Sequence, residues 1–369
     1  MKIVGFRDLL PATDPNALLD LEAPDPMASG HDILVRVKAV SVNPVDTKVR
    51  SRAQPAPGEV RVLGFDAAGV VEAVGEAVTL FAPGDEVFYA GALTRPGTNS
   101  EYHLVDERLV GHKPRTLSAA QAAALPLTAI TAWELLFDRL GVPEGGGDGQ
   151  SLLIVGAAGG VGSMLTQLAR QLTKLTVIGT ASRPETADWV RQLGAHHVID
   201  HSKPLADELR NGNLPLVDMV ASLTHTDTHY AQIIEALRPQ GRLALIDDPA
   251  TLDATPLKSK SLSLHWELMF TRSLFETPDR VRQHELLDRV SQLVDEGVLK
   301  TTLNEDLGPI NAANLRRAHA LPPNLVPEDV ASFRFAGWTL DVPARNAIGP
   351  DGLVVPLSGA EFRLLRVLL

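Results

Sequence analysis

The sequence predicts an α/β protein in which a β-rich N-terminal region is followed by a doubly wound parallel sheet and a short β-rich tail. Three observations carry this. Residues 33–42 (ILVRVKAVSV) and 67–74 have strand character and are punctuated by Asn43-Pro44, Gly75 and Pro83-Gly84-Asp85. From residue 152 onward, short apolar runs alternate with helical patterns, which requires parallel strands joined by crossover helices. After residue 320 the composition shifts to a Pro/Asn-rich link and further strand-like segments.

Taken in order, the first 110 residues form an irregular β region. Ser118 is placed to cap a helix over AAQAAAL, and apolar residues recur at helical spacing over 131–140. Then follow strand 152–155, helix 163–172, strand 175–180, helix 184–193, strand 198–200, strand 216–221, helix 229–237 and strand 242–246. Leu286, Leu287, Val290, Leu293 and Val294 mark one face of a helix closed by Gly297.

Composition narrows the function. At about 150 residues per domain, 369 residues make two or three domains. Lys plus Arg number 34 against 45 for Asp plus Glu, a net charge of −11, so no general basic surface exists for a phosphate backbone. Zero cysteines remove disulfides, thiolate nucleophiles and Cys-based zinc sites. The N-terminus MKIVGFRDLL is too short in apolar residues for a secretory signal, and a cytoplasmic protein is expected. Residues 151–169 lack charge, but their glycines and polar residues predict a strand, a turn and a buried helix instead of a membrane span.

The segment LLIVGAAGGVGSMLTQLA runs from a strand through Ala157-x-Gly159-x-x-Gly162 into a helix, a dinucleotide fingerprint with Ala at the first glycine position. Ala158, Gly159, Gly160 and Val161 form the turn that would face a pyrophosphate, and Gly162 lets helix and strand pack closely. At the end of the next strand stands Thr180-Ala181-Ser182-Arg183. With no acid there for a ribose 2′-hydroxyl, Ser182 and Arg183 point to a 2′-phosphate and hence to NADPH. Thr224 and Asp247 follow predicted parallel strands, at the ends where such sheets bind ligands.

Asn43-Pro44-x-Asp46, GFDAAGVVEAVG, PGDEV, NSEYHLV, ALPLTAITAWELL and VGAAGGVGS together resemble the medium-chain dehydrogenase/reductase superfamily over about residues 1–320. VFYAG, RPGTNSEYHLVDERLV, LIDDP and SLSLHWELMFTRSLFET are similar to its quinone-reductase-like branch often labelled zinc-type alcohol dehydrogenase-like. The resemblance implies a GroES-like catalytic domain (1–125, returning over 261–325) around a Rossmann NADP-binding domain (126–260), and a homodimer through the edge of the nucleotide sheet.

Zinc-dependent members carry Cys near Asn43 and His-Glu where this chain has Phe65-Asp66, so no metal site is expected. Two histidine groupings, His225/His229 and His196-His197-x-x-Asp200-His201, fall in the nucleotide domain; His201 is instead expected beside the adenosine ribose. Without zinc, hydride transfer suits quinones or activated carbonyl and enone substrates. By the resemblance, Asn43 and Asp46 contact nicotinamide or substrate, although both are also turn formers. Thr128 and Thr131 match cofactor-lining positions, and capping explains them equally well. Tyr89 is the candidate proton donor, with a core aromatic as the alternative. His265, Trp266 and Phe270 are expected to shape the pocket, the dimer contact or the core. A zinc alcohol dehydrogenase and a non-catalytic NADPH-binding sensor remain the other functions this sequence admits.

Residues 331–369 resemble the opening of a response-regulator winged-helix domain. They stop before a recognition helix and carry a charge of only +1, so specific DNA binding is not expected. Leu357, Phe362, Leu364 and Leu365 would form an uncovered apolar face.

Overall fold

The computed structural model describes residues 1–321 throughout, and beyond them the backbone of four strands: Ser332–Phe335, Trp338–Asp341, Asn346–Ile348 and Val354–Pro356. The chain divides into two units, Met1–Asn324 and Leu325–Leu369. In the second, the four strands pair antiparallel in sequence order, a plain meander. The apolar face expected at Leu357 to Leu365 lies outside the described residues.

The first unit opens with eight strands. β1 (Lys2–Phe6), β2 (Leu19–Glu22) and β4 (Arg61–Val62) make a three-stranded sheet; β3 (Asp32–Ser41), β5 (Asp66–Val74), β6 (Glu86–Ala90), β7 (Tyr102–Asp106) and β8 (Val110–His112) make a five-stranded antiparallel one, ordered β7-β3-β5-β6-β8. Both faces of this second sheet are covered. Along β5 and β6, Ala67, Val71, Val87 and Tyr89 point into one apolar cluster, and Ala68, Phe88 and Ala90 point into another.

Six parallel strands follow: β9 (Ser151–Val155), β10 (Thr176–Thr180), β11 (His197–Ile199), β12 (Val217–Ser222), β13 (Leu237–Leu245) and β14 (Ser263–Trp266), ordered β11-β10-β9-β12-β13-β14. Every neighbouring pair runs parallel, and the order reverses at β9, which places a ligand crevice at its carboxyl end. All five residues of β9 are buried: Leu152 and Ile154 face one layer, Leu153 and Val155 the other. The uncharged stretch 151–169 is therefore a core strand, a turn and a buried helix. The one helical run among the described residues that is long and apolar enough to cross a membrane, Ala119–Arg139, is mostly buried inside the protein.

The helices are α1 (Pro44–Arg52), α2 (Ala119–Ala123), α3 (Pro126–Trp133), α4 (Gly160–Leu172), α5 (Pro184–Gln192), α6 (Leu205–Asn211), α7 (Thr226–Ala236), α8 (Thr271–Leu274), α9 (Arg282–Asp295) and α10 (Ala312–Ala320). Two begin earlier than apolar spacing predicts. α4 starts inside the glycine motif, and α7 starts at Thr226 because the Asp247 carboxylate caps it from the end of β13. α3 continues as a π-helical turn over Glu134–Arg139. Late in the chain, α9 packs on β8, where Leu287 abuts Gly111, and α10 places Ala312 and Leu315 against Val4, Phe6 and Leu63.

Candidate active site

The crevice begins where β9 ends. Gly156 turns the chain with φ +85°, a conformation in which a side chain would be strained, and Gly159 caps α4 in extended geometry. A Cβ on Gly159 would meet only the Gly156 carbonyl, at 3.4 Å, so the approach to the first N–H groups of α4 is open. Those groups and the helix dipole favour an anion. Gly162 is different: a Cβ there would stand 2.3 Å from the Gly156 oxygen and 2.7 Å from Ala157 backbone atoms, so its bareness is what lets helix and strand touch.

Several predicted residues gather around this turn. A Cβ on Gly160 would reach Thr128 Cγ2 at 3.0 Å, and one on Gly156 would reach Thr224 Cγ2 at 2.9 Å. Ala158 and Val161 are half-buried and pack against the core below. The Gly156 N–H donates to Thr180 Oγ1 at 3.1 Å, and the same hydroxyl hydrogen-bonds His201 Nδ1 at 3.1 Å. Thr180 is thus a site residue that the sequence reading quotes but does not select; a hydroxyl closing the apolar run TVIGT is the signal. The His201 ring also meets that of His229 at 5.9 Å, and the His229 N–H donates to the His225 carbonyl at 3.0 Å in the first turn of α7.

Ser182 follows β10, its Oγ buried without a hydrogen-bond partner, and Arg183 is the residue before α5. Asp247 does not join this set. Its carboxylate is held by the Thr226 N–H at 2.8 Å and the Thr226 hydroxyl at 2.5 Å, so in this structure it caps α7. Thr131 likewise spends its hydroxyl on the Leu127 carbonyl.

On the other wall, Asn43, Asp46 and Asp66 form one buried cluster. Asp46 accepts from the Asn43 N–H at 2.8 Å and the Gly64 N–H at 3.0 Å. Asp66 accepts from Asn43 Nδ2 at 2.8 Å and, through its other oxygen, from the Leu127 N–H at 2.8 Å, at the first turn of α3. Burial pushes Asp66 up to about 8 and Asp46 up to about 7, with the N–H donors pulling both back. Thr128, beside Gly160, directly follows Leu127, so the first turn of α3 links this cluster to the glycine turn.

Tyr89 is not in that cluster. Its side chain points to the opposite face of β6, is wholly buried, and places its hydroxyl 3.1 Å from His103 Nδ1; burial raises the phenol and lowers His103 to about 4. The expected proton donor is corrected to a core aromatic, because a group sealed in the sheet interior has no route to a substrate. Of the three bulky residues, Phe270 is buried edge-on to Phe65 with ring centroids 5.1 Å apart, beside Asp66. Trp266 is half-exposed on edge strand β14, which also carries His265.

Two residues beyond Phe270, Arg272 anchors a partly buried charge network. Arg272 pairs with Glu134, with Asp138 at 3.0 Å and with Asp279 at 3.2 Å, and Arg139 pairs with Glu267 at 2.7 Å. The network fastens the segment after β14 to the π-helical turn that prolongs α3.

The residues present do not fit zinc. Among the described residues no three His, Asp or Glu side chains converge as a metal site. Where the family carries ligands, Phe65 offers none, and both Asp66 oxygens and the Asn43 amide are already engaged in hydrogen bonds.

The family model described as alcohol dehydrogenase GroES-like domain matches residues 29–116, and that described as zinc-binding dehydrogenase matches 160–291. The chain is 41% identical over 325 residues to a zinc-type alcohol dehydrogenase-like protein of Staphylococcus aureus, covering 87% of this chain and 96% of that one. A solved structure from Rhizobium etli, named provisionally as a zinc-dependent alcohol dehydrogenase, is 61% identical with a TM-score of 0.84, covering 87% of this chain and 94% of that one. Quinone oxidoreductase of Escherichia coli, solved in complex with NADPH, is 25% identical with a TM-score of 0.73, covering 86% and 95%.

Proposed function

The chain belongs to the medium-chain dehydrogenase/reductase superfamily of oxidoreductases, and from that premise we propose that it is a zinc-independent, NADPH-dependent reductase of quinones or of activated carbonyl and enone compounds. The observation that carries the reading is the hydrogen-bonded cluster of Asn43, Asp46 and Asp66, where zinc-dependent relatives carry ligands by the resemblance, linked through the first turn of α3 to the glycine turn. When bound, the reduced nicotinamide supplies hydride. The protein's part is placement: the N–H groups of the turn hold the pyrophosphate, Ser182 and Arg183 hold the 2′-phosphate, and His201 flanks the adenosine ribose. Phe65 and Phe270 give the cleft an apolar wall suited to a planar, conjugated substrate.

NADPH oxidation against a panel of quinones, enones and aldehydes tests the activity. Turnover is expected to survive exhaustive chelation; stoichiometric zinc whose removal abolishes it would restore the alcohol dehydrogenase reading. NADPH binding without turnover of any substrate would favour the sensor. NADPH should bind at least about tenfold more tightly than NADH, about 1.4 kcal/mol from charge-assisted contacts, and Arg183→Ala should shrink that margin. Equal affinities in fluorescence titrations of the parent would refute the 2′-phosphate subsite.

We also propose a cytoplasmic homodimer formed through the free edge of β14, where Trp266 and Leu268 are about half exposed. Sedimentation showing only monomer across micromolar concentrations would sink it.

A further inference from the structure

Reduction of a quinone or enone leaves an oxyanion that needs a proton, and Tyr89 is buried away from the cleft. Lys48, by contrast, is half-exposed and bridges two elements of this region. It lies on α1, one turn beyond Pro44, and its Nζ donates to Asp248 Oδ2 at 2.8 Å. Asp248 follows the α7 cap Asp247, in the loop at the carboxyl edge of the parallel sheet, so the pair joins the helix that opens at Asn43 to the edge where such sheets take ligands. The side chains are 43% and 54% exposed, and an ion pair that wet adds about 0–1 kcal/mol, too little to explain the pair as a fastening between the two lobes.

We propose that Lys48 is a catalytic cation whose ammonium, aimed by Asp248, receives the oxyanion of the reduced substrate; the inference rests on the reductase reading above. An ammonium has three N–H donors, and Asp248 takes one. The neighbouring polar groups are committed elsewhere: Asn43 Nδ2 to Asp66, and the Arg50 guanidinium to His319 and the Leu10 carbonyl. Those same bonds fix both ends of α1, so Lys48 projects from a rigid element. A bound reduced nicotinamide would supply a hydride, two electrons with one proton, and a quinone reduced in this way would be left as a hydroquinone monoanion. Lys48 Nζ gives the second proton and recovers one from water.

Lys48→Met, Lys48→Arg, Asp248→Asn and the charge swap Lys48→Asp with Asp248→Lys test this against NADPH and the best substrate of the panel. Lys48→Met should lower kcat roughly 100-fold, the lower range for general acid catalysis, while NADPH affinity stays within about twofold. Lys48→Arg should recover part of the rate, Asp248→Asn should lose less than Lys48→Met, and the swap should stay as slow as Lys48→Met because the cation has moved to the other lobe. A Lys48→Met enzyme with unchanged kcat, or a swap that restores it, would overturn the proposal; the second result would make the pair a latch. A parent protein that binds NADPH and reduces nothing would overturn the reductase reading and this inference with it.

Discussion

Gly162→Ala is expected to weaken NADPH binding at least about 100-fold, about 2.7 kcal/mol, although a single methyl group is all that is added. The methyl has nowhere to go. It would stand 2.3 Å from the Gly156 oxygen and 2.7 Å from two Ala157 backbone atoms, and backbone cannot swing aside as a side chain can. The first turn of α4 must therefore back away from β9, which moves the N–H groups that receive the pyrophosphate. Gly160→Ala is the matched control: its methyl meets Thr128 Cγ2 at 3.0 Å, a side-chain atom that gives by a few tenths of an ångström, and its loss should be much smaller. Fluorescence titration with NADPH, beside a melting curve for each variant, separates lost binding from lost fold. A folded Gly162→Ala protein that binds within about threefold of the parent would refute the role given to this contact.

That glycine is legible in the sequence because its reason is local: strand, turn and helix follow within one short segment, so spacing alone specifies who must touch whom. The parallel sheet is legible for a similar reason, since strands buried on both faces read as continuous apolar runs. Tyr89 shows where this stops. Alternation along EVFYA separates two faces but does not say which one borders the cleft, and here both are buried. Asp247 shows the same limit for polar residues: a carboxylate at a strand end serves a ligand or a neighbouring helix equally well, and only the position of Thr226 decides between them. Asn43 and Asp46 stand out as a motif, whereas the hydrogen bonds from Asn43 and Leu127 that complete the cluster at Asp66 come from segments distant in sequence.

Arg272→Ala should be the most destabilising single change in the cleft wall, costing about 1–3 kcal/mol and lowering Tm by roughly 2–9 °C, because it strips the buried Glu134 carboxyl and Asp138 of the donor they share. No sequence pattern announces this residue, since its partner Asp138 is 134 positions away. Burial and the neighbouring Glu267 push Glu134 up to about 9, against the pull of Arg272, so Glu134→Gln should match the parent within about 1 kcal/mol near pH 4, where folded and unfolded chain both hold the proton. The pH dependence follows from that raised value. Unfolded chain loses the Glu134 proton near pH 4.5 and folded protein near 9, so the stability Glu134 contributes is complete below 4.5 and is lost as pH rises through about 9. Glu134→Gln removes this slope. Relative to the parent it should gain up to about 1.4 kcal/mol per pH unit between pH 5 and 9, read from urea melts at several pH values. With Phe270 held less firmly against Phe65, Arg272→Ala should also raise KM for the oxidising substrate more than that for NADPH. An Arg272→Ala protein melting within 2 °C of the parent, or a Glu134→Gln difference that stays flat with pH, would show that the charges around Arg272 are not coupled as their geometry implies.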